Sequence, residues 1–599
     1  MSNFIQYYEY SKLASAAYVN LNKIDGESIA KAVSSDTNKR LPNALANQTF
    51  DPNSKESKIS GSLVWKVPEG GFYGNDGEGF AATLFERAGQ KVLAIRGTEP
   101  TENLYSDLLK ADITQIGFLG LALGQALSMV NFIRRLQASK TQDVQQLTWS
   151  YSPLKPDKPG ISLPDGKGYI YFTEQPAKKG LGLVGPNEKI EITGHSLGGH
   201  LAALGARLFP QLFNGCYIFN APGFDPDTAD IIVPLSRIIS PALATAIAVT
   251  GNIPLKLTDE FVSLVGDYLT TTPAKSFSQV QIHNLESEDI DPGDDTSFIS
   301  SVVTGTHNLP AEINIPTERN SHMVEPLMDS LSMQALLSRM KPDITAGEIE
   351  TLFRATSTSN ADVLEKLVVQ LRDVLLGKGT SSPAIADAQN LLRIGTGDFE
   401  ARKQYYSIFL EVENAVKSNA NLKLTLLPGQ SVEDIAARAS GKDDVGLAYR
   451  YALRELNPFA LIGADYSAHN ADGSLDLYDE ATGKGAMSEA YLQDRAVMLA
   501  WKIRYGQEDK AYDAEYNTNK VNGNWDFVDK ATGMTLAIDG YGTSASDHQI
   551  VFGGAGAEKI TGGTESDRLY GGGGNDTLQG DGGDDYLEGG QGDDQLIGG

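Results

Sequence analysis

Cysteine is almost missing from this chain: its 599 residues include one, Cys216. A single thiol excludes an intramolecular disulfide framework and any metal site built from several thiolates. Cations are in short supply as well, 50 Lys and Arg against 77 Asp and Glu, for a formal net charge of -27. That balance argues against nucleic acid, and against an anionic membrane held by charge alone, and it invites divalent cations. No stretch reaches the roughly 18 uninterrupted apolar residues that a spanning helix requires. The nearest, 116–130, is broken by Gly117, Gly120, Gly124 and Gln125 and reads as a buried or substrate-facing helix. The opening residues 1–9 lack a basic region and an apolar core, so no cleavable signal peptide is expected there. At about 150 residues per domain, the length implies three or four units.

What is present starts with Thr193-Gly194-His195-Ser196-Leu197-Gly198-Gly199-His200. This G-x-S-x-G run follows a β-prone segment, 189–192, and precedes a helix-forming one, 201–208. Strand, tight turn and helix make the setting of a nucleophile elbow, in which the serine projects above a sheet beside the first amides of the helix. Small residues are needed on either side, because a Cβ at Gly194 or Gly198 would collide with neighbouring backbone.

Before the elbow, 8–19 reads as a helix, and 80–86 and 91–95 as the strands of a hairpin. The second strand runs into Arg96-Gly97-Thr98-Glu99-Pro100, a loop suited to supply a second oxyanion amide from Thr98. After the elbow helix, 215–220 is an apolar strand ending in Ala221-Pro222-Gly223-Phe224-Asp225. Apolar helical patches at 242–249 and 261–269, interrupted by Gly251 and Pro254, make 239–269 either a hinged lid or an ordinary packed helical pair. A third strand, 280–285, feeds the acidic loop 286–295, and Asn320-Ser321-His322 abuts a helix beginning near Met323. From about 331 to 456 the pattern is helical, with an apolar stripe Val363, Leu367, Leu371, Leu375 and no chemical constellation. Asn470-Ala471-Asp472-Gly473 with Asp476 and Asp479 reads as a turn, since Ala468 stands where a calcium loop carries its first ligand.

From Gly553 the chain falls into a nine-residue period: GGAGAEKIT, GGTESDRLY, GGGGNDTLQ, GDGGDDYLE, GGQGDDQLI, then Gly598-Gly599. The sixth position holds Glu558, Asp567, Asp576, Asp585 and Asp594, and the eighth holds Ile560, Leu569, Leu578, Leu587 and Leu596. This is the glycine-rich calcium-binding nonapeptide of parallel β-rolls. Two nonapeptides make one turn, so Asp567 is expected over Asp585 and Asp576 over Asp594. Stacked carboxylates repel until calcium neutralises them. A flexible Gly/Asp linker would not place an apolar residue at every eighth position.

A serine hydroxyl is a poor nucleophile near neutral pH and needs a base, which in turn needs an orienting acid. In hydrolases with this elbow the chain order is serine, acid, histidine. Of the histidines after Ser196, His200 on the elbow helix and His283 inside a strand read as packed. His322, in a loop at a helix start past the last core strand, is the expected base, with His307 the runner-up. Asp289 is the expected acid, with Glu286, Glu288 and Asp225 as rivals. The amides of Leu197 and Thr98 would hold the oxyanion.

Gly194-His195-Ser196-Leu197-Gly198-Gly199-His200, the Arg96-Gly97-Thr98 loop, Glu288-Asp289-Ile290 and Ser321-His322 resemble the class 3 lipase pattern. Joined to the terminal nonapeptides, the whole is similar to bacterial RTX lipases exported by type I secretion. The likeness covers residues 80–340 and 553–599, and the acidic loop is longer than the Asn-Asp-Ile-Val-Pro form of the fungal members. It implies an α/β fold: an α/β-hydrolase domain with a helical insertion over 1–335, with a possible lid at 239–269, a mainly helical region over 336–540, and a calcium-binding parallel β-roll over 541–599. It also implies Ca2+ held by Asp567, Asp576, Asp585 and Asp594, a lipid substrate at an interface, the type I secretion machinery as partner, and an extracellular destination. Triacylglycerol hydrolysis stands ahead of phospholipase A1 action. The rivals from other classes are a calcium-dependent surface or adhesion protein with an inactive hydrolase domain, and an intracellular esterase scaffolded by its repeats.

Overall fold

Ala82–Arg87 (β2) and Gln90–Ile95 (β3) pair antiparallel across the positive-φ turn of Ala88 and Gly89, the tight connection that two alternating runs so close together require. In the computed structural model of the protein the described residues are 3–22, 25–35, 37–61, 63–74, 78–97, 122–162, 168–224, 257–290, 309–317, 323–356, 362–377, 399–482, 484–507, 525–537 and 546–599. Their contacts divide into two units, Asn3–Ala335 with Ile394–Leu410, and Leu336–Arg393 with Glu411–Gly599.

The first unit is built on a seven-stranded sheet. Phe72–Tyr73 (β1) lies beside β2 and β3. A separate three-stranded sheet follows, Asp143–Ser152 (β4), Gly160–Ser162 (β5) and Tyr169–Lys179 (β6), in the order β4-β6-β5. The main sheet resumes with Ile190–His195 (β7), Phe213–Phe219 (β8), Ile282–Asp289 (β9) and Glu312–Thr317 (β10). Its order is β1-β2-β3-β7-β8-β9-β10, and from β3 to β10 every pairing is parallel.

Strand alternation assigns the two faces. Ile190, Ile192, Cys216 and Ile218 are buried in the main apolar cluster with helices α2 (Leu123–Gln137) and α3 (Leu197–Leu208). The opposite face, carrying Tyr217, His195 and His283, receives α1 (Phe4–Ala16) and the residues just after it: Tyr10 meets Tyr217 edge-on at 4.6 Å, and Tyr18 reaches His195. Each fully buried Leu or Ile in such a layer contributes about 1.5–3 kcal/mol. Thr258–Leu269 (α4) covers the three-stranded sheet, with Phe261 edge-on to Phe172 at 5.9 Å.

Val324–Met340 (α5) follows β10. In the second unit, Ala346–Thr356 (α6), Val363–Leu376 (α7), Val432–Ala439 (α8), Asp444–Glu455 (α9) and Glu489–Gln507 (α10) are helices. Val363, Leu367 and Leu371 of the expected stripe are buried, while Val374 rather than Leu375 completes it.

This region is less uniformly helical than its periodicity implies. Lys423–Leu426 (β11) pairs antiparallel with Phe459–Ile462 (β12). Trp525–Asp529 (β13) pairs with Met534–Ala537 (β14) and, in parallel, with His548–Phe552 (β15). β13 extends the sheet of the later strands and satisfies the edge that β15 would otherwise expose.

Lys559–Gly563 (β16), Arg568–Tyr570 (β17), Thr577–Asp581 (β18), Tyr586–Glu588 (β19) and Gln595–Ile597 (β20) then alternate between two parallel sheets, β14-β13-β15-β17-β19 and β16-β18-β20. Val551, Ile560, Leu569 and Leu578 fill the space between them.

Candidate active site and calcium repeats

β3, β7, β8, β9 and β10 run in one direction, so their carboxyl ends share one edge of the sheet. Every segment expected to supply the triad or the oxyanion hole follows a strand that ends at that edge. Gly97 and the Thr98 loop follow β3, Ser196 follows β7, Asp225 follows β8, Asp289 is the last residue of β9, and His322 lies five residues beyond β10. Of these, Ser196 and Leu197 are fully described. Thr98, Asp225, His307 and His322 lie outside the described residues, as do the side chain of Asp289 and most of the 239–269 segment.

Ser196 sits between β7 and α3 at φ 56°, ψ -132°, a conformation that L-residues seldom adopt and that costs about 1–3 kcal/mol. Its N–H donates to the Phe219 carbonyl of the neighbouring strand at 3.0 Å, and its carbonyl accepts from Gly199 and His200 at 2.8 and 3.1 Å. The turn closes only because its glycines lack side chains. A Cβ on Gly194 would overlap the Gly198 carbonyl, and one on Gly198 would overlap the Ile95 carbonyl at the end of β3. Leu197 opens the helix, where first-turn amides have no intrahelical acceptor and the helix dipole favours negative charge.

His200 is packed as expected. It is fully buried, stacks on Phe224 at 4.0 Å, and its Nδ1 donates toward the carbonyls of Pro222 and Gly223. Burial pulls its pKa down to about 4, so it stays neutral at pH 7. His283 stacks on Tyr217 at 4.6 Å and meets the Tyr7 hydroxyl at 3.0 Å, again a packing role.

The third strand departs from the sequence reading. It runs to Asp289, so that Glu286 and Glu288 belong to the strand and not to a loop after it. The cause is β10, whose short Glu-Ile-Asn-Ile-Pro-Thr run pairs residue for residue with Asn284 to Asp289. Glu286 is 6% exposed, and among the described residues neither carboxylate oxygen has a partner in full hydrogen-bond geometry. Burial, reinforced by Glu312, raises its pKa well above the usual glutamate range against a weaker opposing pull from the Ala221 main chain. A triad acid must be ionised beside an imidazolium, and this carboxyl is biased to the neutral form.

A raised folded pKa gives stability that is full below the unfolded glutamate pKa and is lost as pH climbs through the folded one. Glu286→Gln is therefore expected to raise the melting temperature more at pH 8 than at pH 5 while sparing activity. Thermal melts with equal shifts at both pH values would count against the buried-charge account.

In the repeats, each sixth-position aspartate spends one oxygen on the turn before it. Oδ1 of Asp567, Asp576, Asp585 and Asp594 accepts the N–H of Gln549, Glu558, Asp567 and Asp576 at 2.7, 2.7, 2.9 and 2.8 Å. Each such pair is 18 residues apart, so Asp567 lies under Asp585 and Asp576 under Asp594. The other oxygen, Oδ2 of Asp567, Asp576 and Asp585, is buried and has no hydrogen-bond partner among the described residues.

Space beside that oxygen is kept by the first glycine of each repeat. A Cβ on Gly562, Gly571, Gly580 or Gly589 would strike the Oδ2 of its own aspartate. Gly572 and Gly574, at φ +92° and +108°, take the left-handed turn that glycine adopts without strain. An orphaned buried carboxylate oxygen in a cradle that a methyl group would fill suits a hard cation with oxygen ligands. Burial also raises the pKa of Asp567 and Asp576, with Asp585 for the one and Glu558 and Asp594 for the other adding repulsion. Among the described residues no three carboxylate, imidazole or thiolate groups converge. A cation here therefore depends on single carboxylates and main-chain carbonyls.

The roll is joined to α10. Asp494 accepts from the Tyr570 hydroxyl at 2.6 Å and from Arg568 Nε at 2.5 Å. Ser488, whose hydroxyl accepts the Tyr491 N–H at the helix start, donates to Glu588 at 2.7 Å. Arg495 and Asp529 of β13 form an ion pair at 2.8 Å with both side chains no more than 1% exposed. These contacts had no sequence signal, because each joins residues far apart in the chain.

Compared with known proteins, residues 552–587 and 570–599 match the family of RTX calcium-binding nonapeptide repeats, four copies. No curated protein and no solved structure matches the chain. Repeats of this family bind calcium, and proteins that carry them are typically secreted through type I export. No described helix is long and apolar enough to cross a membrane.

Proposed function

We propose that the protein is a secreted, calcium-stabilised serine carboxylester hydrolase acting on lipids, with triacylglycerols ahead of phospholipids as substrates. Residues 1–335 would be an α/β-hydrolase domain, 336–540 an intermediate region and 541–599 the roll. The observation that carries the reading is Ser196 in a strained strand-to-helix turn, at the edge where five parallel strands end. Crevices outside the carboxyl ends of parallel strands are where α/β sheets bind ligands.

In this reading His322 takes the Ser196 proton as the hydroxyl attacks the ester carbonyl, and returns it to the departing alcohol. Asp289 holds the imidazole tautomer. The amides of Leu197 and Thr98 stabilise the tetrahedral oxyanion, each worth about 10²–10³ in rate. Water then repeats the sequence on the acyl-enzyme.

The test is hydrolysis of a triglyceride emulsion, a phospholipid and a short soluble ester, each with and without calcium. Emulsion turnover that depends on calcium is the expected result. Silence on all three points to a calcium-dependent surface protein, and calcium-indifferent activity on the soluble ester alone points to a scaffolded esterase. Within the acidic candidates, Asp289→Asn should lower kcat by about 10⁴, whereas Glu288→Gln and Asp225→Asn should leave it near the parent value. A loss confined to one of those two would move the acid there.

A further inference from the structure

Ser15, Tyr18 and Arg40 meet the α1 face of the sheet around one phenol. The Tyr18 hydroxyl lies 2.7 Å from Nδ1 of His195, the residue immediately before Ser196. The main chain of Gly97, immediately before Thr98, hydrogen-bonds to the same oxygen. The approach is so close that a Cβ on Gly97 would strike the Tyr18 hydroxyl and lie 3.3 Å from the Ser196 Cβ. Tyr18 and His195 are both buried, at 6% and 4% exposure.

The Gly97 N–H donates to the phenol oxygen, and the same hydroxyl pairs with His195 Nδ1. Burial raises the Tyr18 pKa, so the phenol keeps the proton this arrangement needs.

The bracket continues toward the segment that carries the expected base. Arg40 lies over the Tyr18 ring at 4.3 Å and pairs with Glu325 at 3.3 Å, and Ser15 donates to Glu325 at 3.2 Å. Glu325 is in the first turn of α5, three residues after His322. Farther along α5, Asp329 is gripped by both arms of Arg402 at 2.8 and 2.9 Å and by Tyr406 at 2.8 Å, while Arg402 also donates to the Arg40 carbonyl.

We propose that Tyr18 is a positioning residue for the serine chemistry: one hydroxyl fixes the strand end that supplies the oxyanion loop against the residue that aims the nucleophile. The proposal rests on the esterase reading and adds a residue to it. It gives the turn just after the amino-terminal helix a function beyond covering the sheet. A displacement of about 1 Å between nucleophile and oxyanion donor is enough to cost on the order of 10²-fold in rate.

The variant is Tyr18→Phe, which keeps the ring beneath Arg40 and removes only the hydroxyl. Expected are a roughly 10- to 100-fold fall in kcat on a soluble ester with KM little changed, and a matching fall in the rate at which a fluorophosphonate labels Ser196. The melting temperature should stay close to the parent's. Parent-like kcat and labelling rate would overturn the assignment while leaving the esterase reading intact. So would a fall in melting temperature with unchanged kcat per labelled site, since that describes a packing residue. A parent enzyme that neither turns over esters nor takes the label removes both the reading and the assignment.

Discussion

Ser196→Ala is expected to lower ester turnover on the order of 10⁶-fold, the scale seen when a triad nucleophile is removed, and to leave the fold and calcium binding unchanged. Ser196→Gly should be equally inactive yet more stable than the parent. The φ of 56° at this position is a strain that serine bears and glycine does not. Relief of about 1 kcal/mol would raise the melting temperature of the unit by roughly 1–2 °C. The pair separates chemistry from architecture: both variants lose kcat, and they differ in the direction of the stability change. Retained turnover in Ser196→Ala would sink the serine mechanism. A Ser196→Gly variant less stable than the parent would mean that the hydroxyl does structural work instead.

Removal of calcium is expected to undo more than the repeats. Without the cation, the buried oxygens of Asp567, Asp576 and Asp585 carry uncompensated charge, and neighbouring turns repel. The roll face that holds α10 is made of Arg568, Tyr570 and Glu588, residues next to or between those turns. Loss of protection from hydrogen exchange should therefore appear together in 568–570, 586–588 and the first turns of α10 when the full-length protein is treated with a chelator. By mass action, calcium at about 100 times its dissociation constant would stabilise this assembly by about 2.7 kcal/mol per site. The coupling is reciprocal, so Asp494→Ala should weaken calcium binding although it touches no cation. Exchange in α10 that ignores the chelator, or calcium affinity that ignores Asp494→Ala, would show the two parts to be independent.

What was legible in advance was chemistry encoded over short distances. The elbow could be read because glycine, serine and glycine must stand at fixed spacing for the turn to close. The nonapeptides could be read because the period recurs in register, and both signals survive ignorance of the tertiary structure. β10 escaped notice because a six-residue strand with a proline and three polar residues has little apolar pattern, and its partner supplies the context. That omission misplaced the start of the acidic loop, and with it the surroundings of Glu286. The β4–β6 sheet went unread for a similar reason, its alternation giving way to exposed polar residues toward the end of β6. Tyr18, Arg40 and Glu325 are ordinary residues in sequence, and their meeting depends on how α1 crosses the sheet. The base, the Thr98 loop and the side chain of Asp289 fall outside the described residues.

The parallel pairing of Trp525–Asp529 with His548–Phe552 gives the coil of repeats a foundation. In a stack where every layer touches only the layers above and below, ordering propagates from whichever end is already fixed. Here that end is riveted by Arg495 to Asp529, which makes assembly directional, like courses of brick rising from a footing. Deleting the outermost layers should shorten the column gradually, whereas Asp529→Ala should bring down all of it at once.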